Sequence, residues 1–369
     1  MDVPFLNLKA QLPQIREEIE ERFARIIDNT AFVCGREVKE FEETFSALHD
    51  VKHTVGVSSG TNGNHLALLS CGIGEGDEVI LPANTFIATA EGISHSRATP
   101  VFVDADAETY NIDPGRIEAK ITPRTKAVNP VHLFGQPADL EPIAEIADRH
   151  DICVIEDAAQ AHIAEYNGRK VGGIGTIASW SFYPGKNLGA WGEAGAVTTD
   201  NEDLAVHIKK MRDHGSDTKY HHDFIGFNFR MSEFQAAVLN VKMKYIEEWT
   251  EKRRANARLY DAGLSGIAQV KTPHHADNCT HVYHLYVIRA ADRDNLQAYL
   301  KEHGIGTGLH YPIPLHLTEA YARSGYNKGN FPVAEKLADE ILSLPMFPEL
   351  TEAQIDHVCT KIRDFYRNA

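Results

Sequence analysis

The chain has 369 residues, 43% hydrophobic and 24% charged, the balance of a soluble globular protein too long for one ordinary core. Its 37 Lys and Arg against 52 Asp and Glu give a formal net charge of −15. That argues against nucleic acid, whose phosphates attract basic surfaces, and leaves room for a small anion in a locally positive pocket. Met1-Asp2-Val3-Pro4-Phe5-Leu6 lacks a basic stretch before an apolar core, and no apolar run approaches about 20 residues. Neither a secretory signal nor a membrane span is expected. The five cysteines, Cys34, Cys71, Cys153, Cys279 and Cys359, are scattered without paired spacing, as in a reducing cytoplasm.

Taken in chain order, Ile15, Ile19, Phe23, Ile26 and Ile27 predict an amphipathic helix over 14–28. Val38, Phe41, Phe45 and Leu48 predict another over 36–48. Strand and helix then alternate. Strands are expected at Thr54–Val57, Glu78–Pro82, Thr99–Val103, Ala127–Leu133 and Ile152–Ile155. Helices are expected from Ser58 to about Cys71, at Phe86–Ser94 and at Pro142–His150. Such alternation predicts an α/β fold, a mostly parallel sheet between helices, with ligands at the carboxyl ends of its strands. The loops after Val57, Pro82, Ile155 and Phe182 should therefore meet in one crevice. A long helix through Phe234, Val238, Val241, Tyr245 and Trp249 leads into a smaller α+β part. That part has a strand at Val282–Ile288, a helix at Asp294–His303, a Pro-rich loop at 310–314 and helices at about 332–343 and 351–367. The expected division is a large domain over 1–240 and a smaller one over 241–369.

Three stretches carry candidate chemistry. Ser58-Ser59-Gly60-Thr61 opens a predicted helix, where backbone N–H groups and the helix dipole suit a phosphate; an ordinary N-cap would look the same. Asp157 follows the apolar Cys153-Val154-Ile155, at a strand's carboxyl end. Its neighbour Glu156 must face the opposite side, so only one of the pair can reach a ligand there. A helix-capping role for Asp157 stays open. Lys186 sits in Ser181-Phe182-Tyr183-Pro184-Gly185-Lys186-Asn187-Leu188-Gly189, a tight loop after an apolar strand. A lone lysine is ordinarily a solvated surface group. At a strand exit, desolvation would depress its pKa and make it a nucleophile, and with Asp157 beside it the pair is the arrangement required by pyridoxal phosphate. His221-His222 and His274-His275 lack further ligands at metal-site spacing. No Gly-x-Gly-x-x-Gly follows a strand, and Gly172-Gly173-Ile174-Gly175 precedes one, so it reads as a turn.

With these stretches in view, the chain resembles the DegT/DnrJ/StrS family of nucleotide-sugar aminotransferases, pyridoxal phosphate enzymes of fold type I. The likeness runs through Val55–Thr61, Gly76–Ile80, Asn84–Thr89, Val131–Pro137, Glu156–His162, Ser181–Leu188 and Gly226–Met231, and spans nearly the whole chain. The resemblance implies Lys186 as the Schiff-base lysine and Asp157 as partner of the pyridinium nitrogen. It implies Gln160 at the ring hydroxyl, Phe86 stacked on the ring, and Gly60, Thr61 and Ser181 at the phosphate. Asn228 matches a residue reaching the phosphate from a second subunit, which implies a homodimer with shared active sites.

The resemblance also implies the reaction. An amino acid, L-glutamate by expectation, donates nitrogen to a keto sugar linked to dTDP or UDP. Relatives that dehydrate sugars carry His where this chain has Lys186. Tyr183 and Lys219-Tyr220-His221-His222 are similar to the branch acting at C3; a C4-specific or aminocyclitol aminotransferase is the alternative, and a non-catalytic regulator the rival from another class. Tyr183, Lys219, Arg230, His310 and Tyr311 match positions lining the sugar pocket. Two departures stand out: Asn62-Gly63-Asn64 in the phosphate helix, and Ile163 where relatives usually have Gly.

Overall fold

The computed structural model describes residues 1–368. After a short 3-10 turn come α1 (Leu12–Asp28) and α2 (Arg36–Leu48). The α/β run follows as β1 (His53–Val57), α3 (Gly60–Ser70), β2 (Glu78–Pro82), α4 (Ile87–His95), β3 (Thr99–Val103), β4 (Thr125–Val128), α5 (Leu140–His150) and β5 (Cys153–Asp157). Next are the short strands β6 (Glu165–Tyr166) and β7 (Arg169–Lys170), then β8 (Ile177–Ser181), β9 (Gly195–Thr199), α6 (Glu202–Met211), α7 (Glu233–Met243) and α8 (Ile246–Leu264). The chain continues through β10 (Val270–Lys271), β11 (Cys279–Thr280), β12 (Tyr286–Ala290), α9 (Arg293–Glu302), α10 (Pro332–Glu340), β13 (Ile341–Leu344) and α11 (Glu352–Asn368).

Seven strands form the central sheet in the order β1-β9-β8-β5-β4-β2-β3. Only β9 is reversed; it pairs antiparallel with both β1 and β8. The other pairs are parallel. Parallel strands buried on both faces need helices on both sides. Val55, Val57, Val79, Leu81, Ile155, Ile177 and Val197 pack into one apolar core with Leu66 and Leu68 of α3, Ile93 of α4 and Ile208 of α6. Residues of opposite parity face the other way. There Trp180, Ala178 and Ala196 meet Phe41 and Phe45 of α2, and Ile80, Val128 and Val154 meet Ile143 and Ile146 of α5. The carboxyl ends of β1, β2, β5 and β8 consequently point to one side.

A second sheet, β10-β12-β13, is antiparallel. Its core joins Tyr286, Ile288, Leu342 and Leu344 to Tyr260, Leu296, Val358 and Ile362 of the surrounding helices, and Val3 from the start of the chain packs with them. No helix among the described residues is long and apolar enough to cross a membrane.

The structure corrects several expected elements. The long helix from 233 is two, α7 and α8, joined at Lys244-Tyr245. The apolar face runs unbroken from Val238 and Val241 to Trp249 against Ile15 and Ile19, so the pattern hides the joint. The helix expected to reach residue 343 stops at Glu340, and Ile341–Leu344 is strand β13, buried on both faces. The strand expected at Ala127–Leu133 ends at Val128, and the one expected from Val282 begins at Tyr286. Strand β9 and helix α6 were not anticipated; Asn201, which accepts hydrogen bonds from the N–H groups of Asp203 (2.9 Å) and Leu204 (3.3 Å), was a readable cap for α6.

Candidate active site

One cavity of about 690 Å³ opens at the carboxyl ends of the parallel strands. Of the thirteen residues named from the sequence, ten line it: Gly60, Thr61, Phe86, Asp157, Gln160, Ser181, Tyr183, Lys186, His310 and Tyr311. Asn228, Lys219 and Arg230 do not. They lie on the segment after α6, where Asn228 and Lys219 are exposed and Arg230 Nη1 pairs with Asp213 at 2.8 Å.

Asp157 and Glu156 end β5 back to back. Asp157, 8% exposed, lines the cavity. Its Oδ2 accepts from Thr89 Oγ1 at 2.7 Å and its Oδ1 from Ala159 N at 3.2 Å. Thr89, in the first turn of α4, has the hydroxyl of Thr85, just before the helix, 3.0 Å away. Glu156 points to the opposite face. It sits 3.0 Å from His132 Nε2 and accepts from the N–H groups of Gly172 (2.8 Å), Ile174 (3.0 Å) and Gly175 (2.7 Å). Burial pushes its pKa up, but His132 and the Gly175 and Gly172 N–H groups outweigh that and hold it low. Glu156 thus ties down the Gly172–Gly175 turn and is unavailable to the cavity.

Lys186 follows β8. Its N–H donates to Tyr183 O at 2.8 Å, closing the loop. Desolvation lowers its pKa to about 8, partly opposed by the Asp157 carboxylate. Buried Lys242 reaches the far end of this loop, donating from Nζ to Gly189 O at 2.7 Å.

At the start of α3, Ser59 Oγ caps the helix by accepting from Asn62 N at 3.2 Å. Among the described residues the Gly60 and Thr61 N–H groups have no protein acceptor. A Cβ on Gly60 would stand 2.6 Å from Ser181 Cβ, so only glycine lets α3 approach β8 this closely. Here the departure at 62–64 has a structural role. Gly63 packs against β9, where a Cβ would meet Ala196 O at 3.0 Å. Asn64, 2% exposed, donates from Nδ2 to Thr89 O at 3.1 Å and borders the cavity.

Gln160 Oε1 accepts from Phe134 N at 2.6 Å, leaving its amide NH2 toward Tyr311 Oη at 3.3 Å. Burial raises the Tyr311 pKa. Phe86 is 50% exposed, with its ring 5.4 Å from that of Tyr311. His310 Nδ1 lies 2.8 Å from Ser343 Oγ, and burial lowers the ring's pKa to about 4. Ile163 is buried with a φ of 59°, the left-handed region that glycine adopts freely. Its N–H donates to His49 Nε2 at 3.2 Å.

Several cavity residues were missed in the sequence: Phe5, Leu6, Asn64, Thr85, Thr89, Glu193, His284 and Met346. Thr85 and Thr89 carried a signal, hydroxyls four apart across the start of α4. Phe5, Leu6 and Met346 are brought in by tertiary packing. The set could hold an aromatic group bearing a phosphate: helix N–H donors at one end, a carboxylate at the other, an amine to bond it and aromatic faces beside it. No group of three or more His, Cys, Asp and Glu able to hold a metal occurs among the described residues.

Known proteins resemble this chain over its full length. The profile of the DegT/DnrJ/EryC1/StrS aminotransferase family matches residues 13–363. A protein of Geobacillus stearothermophilus named a pleiotropic regulatory protein is 48% identical over 100% of both chains. The dTDP-3-amino-3,4,6-trideoxy-alpha-D-glucose transaminase of Streptomyces venezuelae is 43% identical over 98% of this chain and 96% of its own. The crystal structure of S. venezuelae DesV in complex with a ketimine intermediate superposes with a TM-score of 0.97 at 43% identity, covering 99% of this chain and 98% of that one. On this evidence the chain belongs to the DegT/DnrJ/EryC1/StrS aminotransferase family.

Proposed function

We propose that this chain is a pyridoxal phosphate-dependent aminotransferase that moves nitrogen from an amino acid, L-glutamate, to a keto sugar nucleotide in amino-sugar biosynthesis. The acceptor is a dTDP- or UDP-linked 3-keto hexose, by likeness to the S. venezuelae transaminase. The observation that carries the reading is Lys186, its pKa lowered to about 8, sharing one cavity with the carboxylate of Asp157.

The fit of the cofactor rests on the close approach at Gly60, where a Cβ would collide with Ser181 and fill the phosphate cradle. Gly60 and Thr61 N–H groups and the Ser181 hydroxyl would hold the phosphate, Asp157 the ring nitrogen, Gln160 the ring hydroxyl and Phe86 the ring face. When bound, the cofactor supplies an electron sink for the carbon that loses its proton. The protein supplies placement and proton transfer. Lys186 would carry the covalent attachment and, as a free amine, would take up at Nζ the proton lost from the donor's α-carbon and hold it for return. A pKa of about 8 leaves a useful fraction of neutral amine near neutral pH. Thr89 orients the Asp157 side chain by donating to Oδ2. One cavity serves both substrates in turn, so ping-pong kinetics follow.

In this reading the enzyme is a cytoplasmic homodimer. Asn228, Lys219 and Arg230, which lie outside this chain's cavity, act on the partner's site, with Lys219 and Arg230 meeting the diphosphate. Tyr183, His310 and Tyr311 meet the sugar. Residues 1–240 and 241–369 act as the large and small domains.

The name of the Geobacillus relative favours a second reading, a regulator that kept the fold. Lys186 and Asp157 weigh against it, because a binding scaffold needs neither. One experiment separates them. The purified chain is incubated with L-glutamate and a panel of 3-keto and 4-keto sugar nucleotides, release of 2-oxoglutarate is followed, and the amino sugar's carbon is assigned by NMR. An aminated 3-keto acceptor is expected. A 4-amino product replaces the C3 assignment, and no turnover with any acceptor overturns the reading.

A further inference from the structure

We propose that residues 3–6 form a strap belonging to the active site, with Phe5 and Leu6 as specificity-determining residues for the keto-sugar acceptor; this rests on the aminotransferase reading above. The strap is pinned at its start. Val3 is fully buried and pairs in parallel with Ile305: its N–H donates to Gly304 O at 2.8 Å, and Gly306 N donates to Val3 O at 2.8 Å. A Cβ on Gly306 would stand 2.6 Å from Phe5 N, so the backbones are pressed together there. Phe5 O accepts from Met346 N at 3.4 Å just past β13.

From this anchor the two side chains reach the cavity in different directions. The Phe5 ring stacks on His310 with centroids 5.7 Å apart and planes 18° apart. Leu6 crosses to the lysine loop: Leu6 Cδ2 and Tyr183 Cε1 both lie 3.6 Å from where a Cβ on Gly185 would be. Leu6 and Tyr183 therefore flank the residue that precedes Lys186. One short segment so touches both His310 and Tyr183, two side chains proposed to meet the sugar, and joins the second sheet to the loop after β8.

The size of the cavity assigns the strap to one substrate. About 690 Å³ is in the range that holds a drug-sized ligand. An amino-acid donor fills only a small part of such a volume, whereas a sugar nucleotide takes up more of a lining that includes Phe5, Leu6, Leu285 and Met346. Apolar side chains there exclude water from the C–H faces of the sugar and leave the donor untouched.

The test uses the cofactor-loaded protein and reads the two half-reactions separately. Phe5→Ala and Leu6→Ala are compared with the parent chain in single turnover with L-glutamate and in steady state with the keto-sugar nucleotide accepted in the panel. Calorimetric titration with the amino-sugar nucleotide product gives a readout independent of turnover. Removing such a contact should raise the acceptor KM and the product Kd about tenfold. The donor half-reaction should stay within about twofold, and Leu6→Met, which keeps the volume, should restore binding. Equal slowing of both half-reactions, or an unchanged acceptor KM and product Kd, overturns the proposal and leaves the strap a structural tie. A parent chain inactive on every keto-sugar nucleotide removes the aminotransferase reading, and the strap's role with it, and is told apart by that control.

Discussion

Thr89 Oγ1 donates to Asp157 Oδ2 at 2.7 Å, linking the first turns of α4 to the carboxyl end of β5. A hydrogen bond to a charged group contributes about 1.5–3 kcal/mol. Thr89→Val keeps the shape and removes the donor. The expected result is a Kd for pyridoxal phosphate at least tenfold higher, measured by fluorescence titration of the cofactor-free protein. An unchanged Kd would show that the bond does not act on the cofactor.

Lys186→Ala should abolish turnover and the visible absorbance of the purified protein, while Lys242→Ala should keep the colour. The pH dependence follows from a pKa lowered to about 8 by desolvation. The neutral amine is the nucleophile, so borohydride trapping of pyridoxal phosphate on the cofactor-free chain should rise with pH through about 8. A rise centred near the ordinary lysine value of about 10.5 would contradict the buried environment.

Gly60→Ala tests the cradle. The added Cβ would sit 2.6 Å from Ser181 Cβ and 3.0 Å from Ser181 Cα, and backbone cannot swing aside. Overpacking of this kind costs about 1–3 kcal/mol. Cofactor affinity should fall along with the thermal midpoint. Gly60→Ala combined with Ser181→Gly should recover the midpoint without recovering affinity, because the hydroxyl is lost.

Ile163 sets two effects against each other. Its left-handed backbone costs about 1–2 kcal/mol for a residue with a side chain. Burying that side chain contributes about 1.5–3 kcal/mol, and a residual cavity adds to the loss. Burial wins, so Ile163→Gly should lower stability by roughly 1–3 kcal/mol in urea unfolding despite relieving the strain. A stabilised variant would mean the strain is larger than the packing.

Acid should destabilise the fold before its carboxylates titrate. Burial lowers His49 and His281 to about 3. Their neutral forms are favoured when folded, so their contribution is complete above the unfolded value near 6.5 and shrinks as pH falls toward 3. Over that window each costs about 1.4 kcal/mol per pH unit. His49→Gln, which keeps an acceptor for Ile163 N and does not titrate, should flatten the dependence of unfolding free energy on pH by about one proton between pH 4 and 6. An unchanged slope would place the proton uptake elsewhere.

Much of this was legible because local chemistry and spacing agree. β5 could be read from its apolar run into Glu156-Asp157, and parity alone said that the two acids must diverge. The lysine loop announced itself through Pro184, Gly185 and Gly189. What was hidden depends on distant contacts. β13 is covered on both faces by residues from other parts of the chain, so its short sequence has no period to read. Phe5 and Leu6 look like the unremarkable start of a chain until Ile305 and Gly185 are folded beside them. Asn228, Lys219 and Arg230 lie outside this chain's cavity: motif likeness named them, and no spacing within the chain could say where they act.

Glu156 and Asp157 also bear on how this sequence can change over time. One acid secures three backbone N–H groups on one side of the sheet, and the other faces the cavity on the reverse. Losing or gaining a single residue within β5 would exchange their sides, removing the tether of the Gly172–Gly175 turn and displacing the cavity's acid in one event. Length variation should therefore accumulate in the loops that follow the strands and be absent from β5, so that new specificities arise by remodelling the rim while this strand's residue count is inherited unchanged.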